Sequence, residues 1–550
     1  MSRLLLLLLT LFLAPLSAQD AAPKKGPRLT GGLSAGGFFY ESTGPTRRPP
    51  TGYLLNANLN FRVGQFSLPF MVSLNDQGAT LNNPFNRLGI SPTYKWATLH
   101  LGHRNISFSP FVLNGTTFFG AGAELKPGKL RLSALYGRFQ RARVRRVDDA
   151  LPVDFEYQRN GYSVRLGVGS QRNYFDLIYF RAADEVGSLP LDTTFRADNF
   201  PQANTVLGLS TRREFFKGKL FFTADGGLSL FTRNRRAAAL GEERQEIVDR
   251  LSFLVDPNIS TAANYAGEAG LQLRLPTFGL GLNYRRVMPD YRSLGVNYLL
   301  DDTETITIAP RLTLAKGKVN LTGSLGLQRN NLLEQRQAAT FRQIGSANFD
   351  YQGQTGLGLS LNYSNYRLDQ QVVRDEVLND SILLNQVNHQ VSFSPRYFKA
   401  NKAISHMIVL TTGWQQLDDQ NPGTSDIADN QVLLVNLNYS GRLKPGGWRW
   451  SAGVNLFQLT SKVVGNDRYG ASLGLGKQLG DRLLLRTRLV YNRLMNTAGS
   501  GSNYQASATA RFTVSKQAGL EATFGRLVND FAGRDFAETR GRVRFTYRWR

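Results

Sequence analysis

The chain closes on Arg542-Val543-Arg544-Phe545-Thr546-Tyr547-Arg548-Trp549-Arg550, nine residues in strict alternation. Successive side chains of a β-strand point to opposite faces. One face of this stretch is therefore Val543, Phe545, Tyr547 and Trp549, and the other is arginine apart from Thr546. No helical spacing collects those four apolar residues on one side, so the segment reads as a strand with an apolar-aromatic face and a basic one.

Working back along the chain, the same separation recurs. Leu483, Leu485, Leu489 and Tyr491 oppose Arg482, Arg486 and Arg488, with Leu484 and Thr487 breaking the pattern. Leu433, Val435, Leu437 and Tyr439 oppose Asn436, Asn438 and Arg442, while Leu271, Leu273 and Leu275 alternate with Gln272 and Arg274. Leu280, Leu282 and Tyr284 oppose Gly281, Asn283 and Arg285. Strands of soluble sandwiches run to about 5 or 6 residues, whereas a tilted strand crossing a bilayer takes about 9–11. Many alternating runs here reach the longer length. In hydrocarbon every backbone N–H and C=O needs a protein partner, so strands can cross only as a closed barrel.

Turn chemistry orders the runs. Short polar connections such as Lys126-Pro127-Gly128-Lys129, Lys217-Gly218-Lys219, Lys316-Gly317-Lys318 and Lys444-Pro445-Gly446-Gly447 lie between alternating segments, and glycine supplies the positive φ that tight hairpins need. Longer connections, at 184–203, 235–262, 287–302, 367–386 and 418–429, fall between them. Short turns on the periplasmic side and long loops outside are the rhythm of a transmembrane barrel. The count is about 25, and parity requires an even number. The expectation is that Leu99–Asn114 hides a hairpin, with Gly102-His103 turning the chain and Arg104–Leu113 forming a separate strand closed by Asn114-Gly115. The fold class is then an all-β, closed antiparallel barrel of about 26 strands, within a range of 24–26.

Composition agrees. The 550 residues include no cysteine, 54 glycines and 41% hydrophobic residues, with a mean hydropathy of −0.28 and a formal charge of +25. Such a chain cannot be a bundle of apolar membrane helices, and 11% aromatic content sets it apart from disordered polyelectrolytes. At the N-terminus, Met1-Ser2-Arg3, the apolar run Leu4–Leu13 and the small residues ending at Ala18 read as a secretory signal cleaved after Ala18. Residues 19–28 form a short periplasmic stub and 29–550 the barrel. Ala237–Val255 breaks the alternation and is expected to be a surface helix inside the loop 235–262.

With signal, alternation and a Tyr547/Trp549 ending in place, the chain resembles the large outer-membrane β-barrel proteins of diderm bacteria over residues 29–550. It departs from their usual aromatic last residue by adding Arg550. The resemblance implies residence in the bacterial outer membrane. It implies as partners outer-membrane lipid and lipopolysaccharide, the barrel-assembly machinery during insertion, and a plug or surface protein. The stub is too short for a plug domain ahead of the first strand.

Charge is the informative feature of the interior. Lysine supplies 15 of the 66 basic residues and arginine the rest. Arg131, Arg165, Arg274, Arg285, Arg482, Arg486, Arg488, Arg542, Arg544 and Arg548 are expected on lumen faces, where they concentrate anions. Leu483, Leu485, Tyr491, Val543, Phe545, Tyr547 and Trp549 are expected to face lipid. The competing reading is that the arginines pair across strands with the 41 acids and only stiffen the wall. Of the four histidines, His100 and His103 fall on opposite strand faces, which disfavours a metal pair. No catalytic residue, metal site or cofactor is expected, and export argues against a nucleic-acid partner for the basic run Arg141–Arg146. The expected function is a wide, Arg-rich pore that passes or binds small anionic solutes. The alternative is a barrel anchor or subunit of a surface-assembly, secretion or adhesion complex, its lumen closed by loops or a partner.

Overall fold

The computed structural model describes residues 26–45, 48–75, 87–143, 156–189, 199–239, 257–373, 383–497, 499–531 and 535–549. Its strands form one antiparallel sheet of 26, each paired with its neighbour in sequence. The first, Arg28–Ser42, pairs with the last, Phe536–Trp549, from Gly31↔Trp549 to Ser42↔Glu538, so the sheet has no free edge. Apart from the fourth, the strands run from 9 residues (Ala97–Asn105) to 16 (Leu357–Val372), enough to cross a bilayer and, for the longer ones, to project beyond it.

The fourth strand is interrupted. Arg87–Ile90 pairs with Phe66–Asn75 on one side and Ala97–Asn105 on the other, and Thr93–Tyr94 continues the same course. Pro92 has no N–H to give to a ladder, yet its carbonyl accepts from Leu99 N at 2.9 Å and Ser91 N donates to Pro69 O at 3.0 Å, which carries the wall across the break. This strand satisfies the parity. The expected hidden hairpin is absent: Ala97–Asn105 runs straight through Gly102-His103, and Arg104–Leu113 is not a strand of the wall. Gly102 does take a positive φ of 87°, but the reason is close strand approach, since a Cβ there would stand 2.3 Å from Leu88 O.

The short turns follow the expected positions with one difference in mechanism. At Phe216-Lys217-Gly218 the two residues before the glycine are themselves left-handed, with φ of 52° and 55°, and Ala315-Lys316-Gly317 repeats this. The helix expected at Ala237–Val255 falls almost entirely on 240–256, outside the described residues.

Directly opposed residues of an antiparallel ladder share a face. Ile178 opposes Gly208, Gly208 opposes Gly227, Gly227 opposes Ala266, and Ala266 opposes Val287. That row is covered by chain rather than lipid: Ile106, Phe108, Val112 and Leu113 pack on Phe118, Leu135, Ile178, Phe180 and Val206. Phe111 packs with Ala266, Val287 and Tyr291. Segment 106–116 therefore folds into the barrel, and this face is the inner one. Followed strand to strand both ways, the inner face returns to itself at Phe38↔Arg542. The sequence of Arg104–Leu113 now has a physical account. Phe111, Val112 and Leu113, consecutive and each fully buried, cannot alternate between lipid and water, so they fit a packed plug and not a membrane strand.

Candidate pore-lining site

Two loops meet inside the barrel. Segment 106–116 is tied to segment 288–302 by Tyr291 Oη donating to Phe111 O at 2.8 Å, Ser293 Oγ to Val112 O at 2.6 Å, and Asn114 N to Gly295 O at 2.9 Å. Burial pushes the Tyr291 phenol well above its ordinary value, which keeps it a neutral donor. Asn204, on the strand Ala203–Phe215, fastens the second segment to the wall: its Nδ2 donates to Arg292 O at 3.3 Å and its Oδ1 accepts from Leu294 N at 3.1 Å. The inner wall in this sector supplies the seat, because Gly208 and Gly227 oppose each other where larger residues flank them.

Several arginines in the same sector are engaged with acids, although Arg104 Nε and Nη2 and Arg212 Nε are buried without a hydrogen-bond partner among the described residues. Arg131 forks onto Asp176 with both bonds at 2.8 Å. Arg165 reaches Glu124 at 3.3 Å and Ser133 Oγ at 2.7 Å, and its guanidinium lies 4.6 Å from the Phe108 ring. Glu124 also faces Lys126 at 2.8 Å and His100 Nε2 at 3.2 Å. Arg285 pairs with Glu268 at 3.4 Å and lies 5.1 Å from the Phe111 ring, while Arg274 stacks on Phe221 at 4.6 Å. Here the wall-stiffening reading holds. Asp176 is almost wholly buried, so Arg131→Ala leaves an uncompensated charge, with an expected cost of about 3–5 kcal/mol. The double change Arg131→Met with Asp176→Leu costs far less. Urea unfolding read by heat-modifiable gel mobility measures both, and equal losses would contradict the assignment.

The opposite sector differs. In register across seven strands stand Arg442↔Arg449, Arg449↔Gly476, Gly476↔Arg486, Arg486↔Thr509, Thr509↔Thr523 and Thr523↔Arg542. Among the described residues no carboxylate lies within ion-pair distance of these four arginines or of Arg488, whereas Arg511 and Arg544 share Glu521 at the next position along. The row borders a hollow of about 510 Å³ lined by Arg442, Arg449, Arg486 and Arg488 with the hydroxyls of Ser440, Ser451, Ser507 and Thr509. Gly474 and Gly476 floor it; a Cβ on Gly474 would lie 2.5 Å from Ser451 Oγ. Arg449 Nε is buried with no protein acceptor. Chemically, this is a set of guanidinium donors and hydroxyls without a counter-charge, suited to carboxylate or phosphate oxygens.

Nine of the ten arginines expected on the lumen face stand on the inner face by register, and they divide between the two sectors. Arg482 does not stand on the wall: the strand begins at Leu483, and Arg482 lies in the turn, its carbonyl accepting from Thr513 N at 2.7 Å. Leu483, Leu485, Tyr491, Val543, Phe545, Tyr547 and Trp549 all take the outer face. Arg449 was not among the expected residues. Its signal was present, because it separates Trp448 from Trp450 as Arg548 separates Tyr547 from Trp549. His100 and His103 lie on opposite faces as expected, the latter against the Phe119 ring at 4.8 Å.

A closed antiparallel barrel with an apolar outer face and a polar inner one is a transmembrane barrel of the porin-like, outer-membrane class. No family model and no curated protein matches the chain. Among solved structures it is similar to OccK10 (OpdN) of Pseudomonas aeruginosa, at 14% identity over 63% of this chain and 95% of that one, with a TM-score of 0.35. OpdK of Pseudomonas aeruginosa with vanillate matches at 12% identity over 71% and 99%, TM-score 0.30. The translocation pore of the P pilus usher PapC matches at 11% identity over 94% and 98%, TM-score 0.30.

Proposed function

We propose that the protein is an outer-membrane pore that passes small anionic solutes by diffusion. One observation carries the reading: among the described residues Arg442, Arg449, Arg486 and Arg542 stand in one row of the inner wall without carboxylate partners, while Arg131, Arg165 and Arg285 of the opposite sector are paired with acids. Cations held together in a lumen with low-dielectric walls set up a positive potential that draws anions in and repels cations. The inward segments narrow one side of the lumen and leave the arginine row on the other side uncovered. Solute selection and not chemistry is the task such a wall performs. Maturation at Ala18, insertion by the barrel-assembly machinery, contact with lipopolysaccharide and a plug or surface partner belong to the same proposal.

The test is the reversal potential of the purified protein in a planar bilayer under a salt gradient. Anion preference at low ionic strength, weakening as salt screens the wall, is the expected result. Absence of conductance, or a cation preference, overturns the reading.

A further inference from the structure

The barrel sorts its two basic residue types by position. Twelve short turns lie at the end where the first strand begins and the last one finishes. Ten of the chain's 15 lysines lie in those turns, and Lys399 and Lys477 stand on strand ends beside them. Asp481 is the single carboxylate in the twelve turns, and Lys126 is the one lysine of this rim within ion-pair distance of an acid among the described residues. The long-loop rim is built differently: several of its cations are neutralised in pairs, among them Arg159–Asp184, Arg286–Glu304 and Arg336–Asp302.

Aromatic side chains accompany the lysines. Tyr94 and Trp96 are 54% and 51% exposed and Phe216 is 73% exposed, all at this rim. Lys477 Nζ lies 4.2 Å from the Trp448 ring and Lys95 Nζ 5.3 Å from the Tyr94 ring. An outward aromatic girdle marks the level at which acyl chains give way to headgroups, so the ammonium groups stand at the level of the lipid phosphates. We propose that this rim is a binding surface for anionic phospholipid headgroups of the periplasmic leaflet, which fixes the depth of the barrel. Three features favour lipid over an acidic protein. The lysines are spread through seven of the twelve turns, from 95–96 to 514–517, rather than gathered on one side. Lysine offers a mobile, hydrated point charge on a long stem, suited to a fluid layer of phosphates, where arginine would suit one fixed partner. The girdle places lipid, not water, beside them.

Native mass spectrometry of the full-length barrel, titrated separately with phosphatidylglycerol, phosphatidylcholine and inorganic phosphate, tests the proposal. Expected is retention of phosphatidylglycerol over phosphatidylcholine, undisturbed by inorganic phosphate and collapsing at high salt. In the variant Lys217→Gln, Lys219→Gln, Lys316→Gln, Lys318→Gln, affinity at those two turns falls about fivefold per lysine removed. Arg286→Gln with Arg329→Gln, at the other rim, leaves it unchanged. Equal retention of both lipids by the native protein, a salt-insensitive preference, or undiminished binding by a quadruple variant with native heat-modifiable mobility overturns it. The native-protein arms decide the question even where the variant does not insert, and none depends on which solutes cross the pore.

Discussion

Replacing Arg442, Arg449, Arg486 and Arg542 together by glutamate reverses the sign of the pore's reversal potential, from anion-preferring to cation-preferring. The four side chains share one row of the inner wall and among the described residues no carboxylate lies within ion-pair distance of them, while the substitution changes the local charge by about eight units at one level of the lumen. In the native protein the opposite sector contributes little net potential at its paired sites, because Arg131 and Arg285 face Asp176 and Glu268. Folding is the competing cause of any change, and the row is well placed to separate the two. Arg442, Arg486 and Arg542 are exposed to the lumen, and none holds a hydrogen bond that the sheet depends on. A milder set, all four to glutamine, is expected to abolish the preference without reversing it. Reversal potentials of the native protein and both variants, each with native heat-modifiable mobility, form the measurement. A glutamate variant that inserts normally and still prefers anions would place selectivity elsewhere in the lumen.

Alternation made the wall legible, because a period of two is a property of the strand itself and survives in any residue order. Val543, Phe545, Tyr547 and Trp549 took the outer face, and Arg542, Arg544 and Arg548 the inner one, with no tertiary information needed. What stays hidden in a linear reading is which arginines are spent. Arg131 and Asp176 lie 45 residues apart on strands separated by a third, and nothing local announces that the register sets them 2.8 Å from each other. Gly102 misled for a related reason. A glycine between alternating runs reads as a turn, but here it relieves the approach of Leu88 O across the ladder. Parity required one more strand, and that strand is the pair of short pieces on either side of Ser91-Pro92, too broken to show a period. Arg482 shows the limit at strand ends, where the period continues for one residue beyond the ladder that gives it meaning.

Gly208→Leu with Gly227→Leu is expected to eject both inward segments while leaving the barrel closed. A Cβ on Gly208 would stand 2.2 Å from Val112 Cγ2, and one on Gly227 would stand 2.3 Å from Tyr291 Oη and 3.3 Å from Phe111 Cβ. These glycines face each other across the ladder and form the notch in which the segments sit. On the wall itself leucine is accommodated in a strand at least as well as glycine, which gives a sheet little to pack. The cost falls on the plug instead. Phe111, Val112 and Leu113 are fully buried there, and losing such burial costs about 1.5–3 kcal/mol for each side chain. The hydrogen bonds from Tyr291 and Ser293 to the carbonyls of Phe111 and Val112 are lost with them. Leucine side chains extending beyond Cβ positions already 2.2 and 2.3 Å from Val112 Cγ2 and Tyr291 Oη fill the notch, so those terms are no longer available to hold the loop and the segment 106–116 leaves the lumen. Single-channel conductance then rises severalfold, and 106–116 and 288–302 become cleavable by added protease in the folded barrel. Tyr291→Phe, which removes one hydrogen bond and keeps the packing, is expected to leave conductance near native. A double-leucine variant with native gel mobility, native conductance and protease-resistant segments would show that the notch does not seat them.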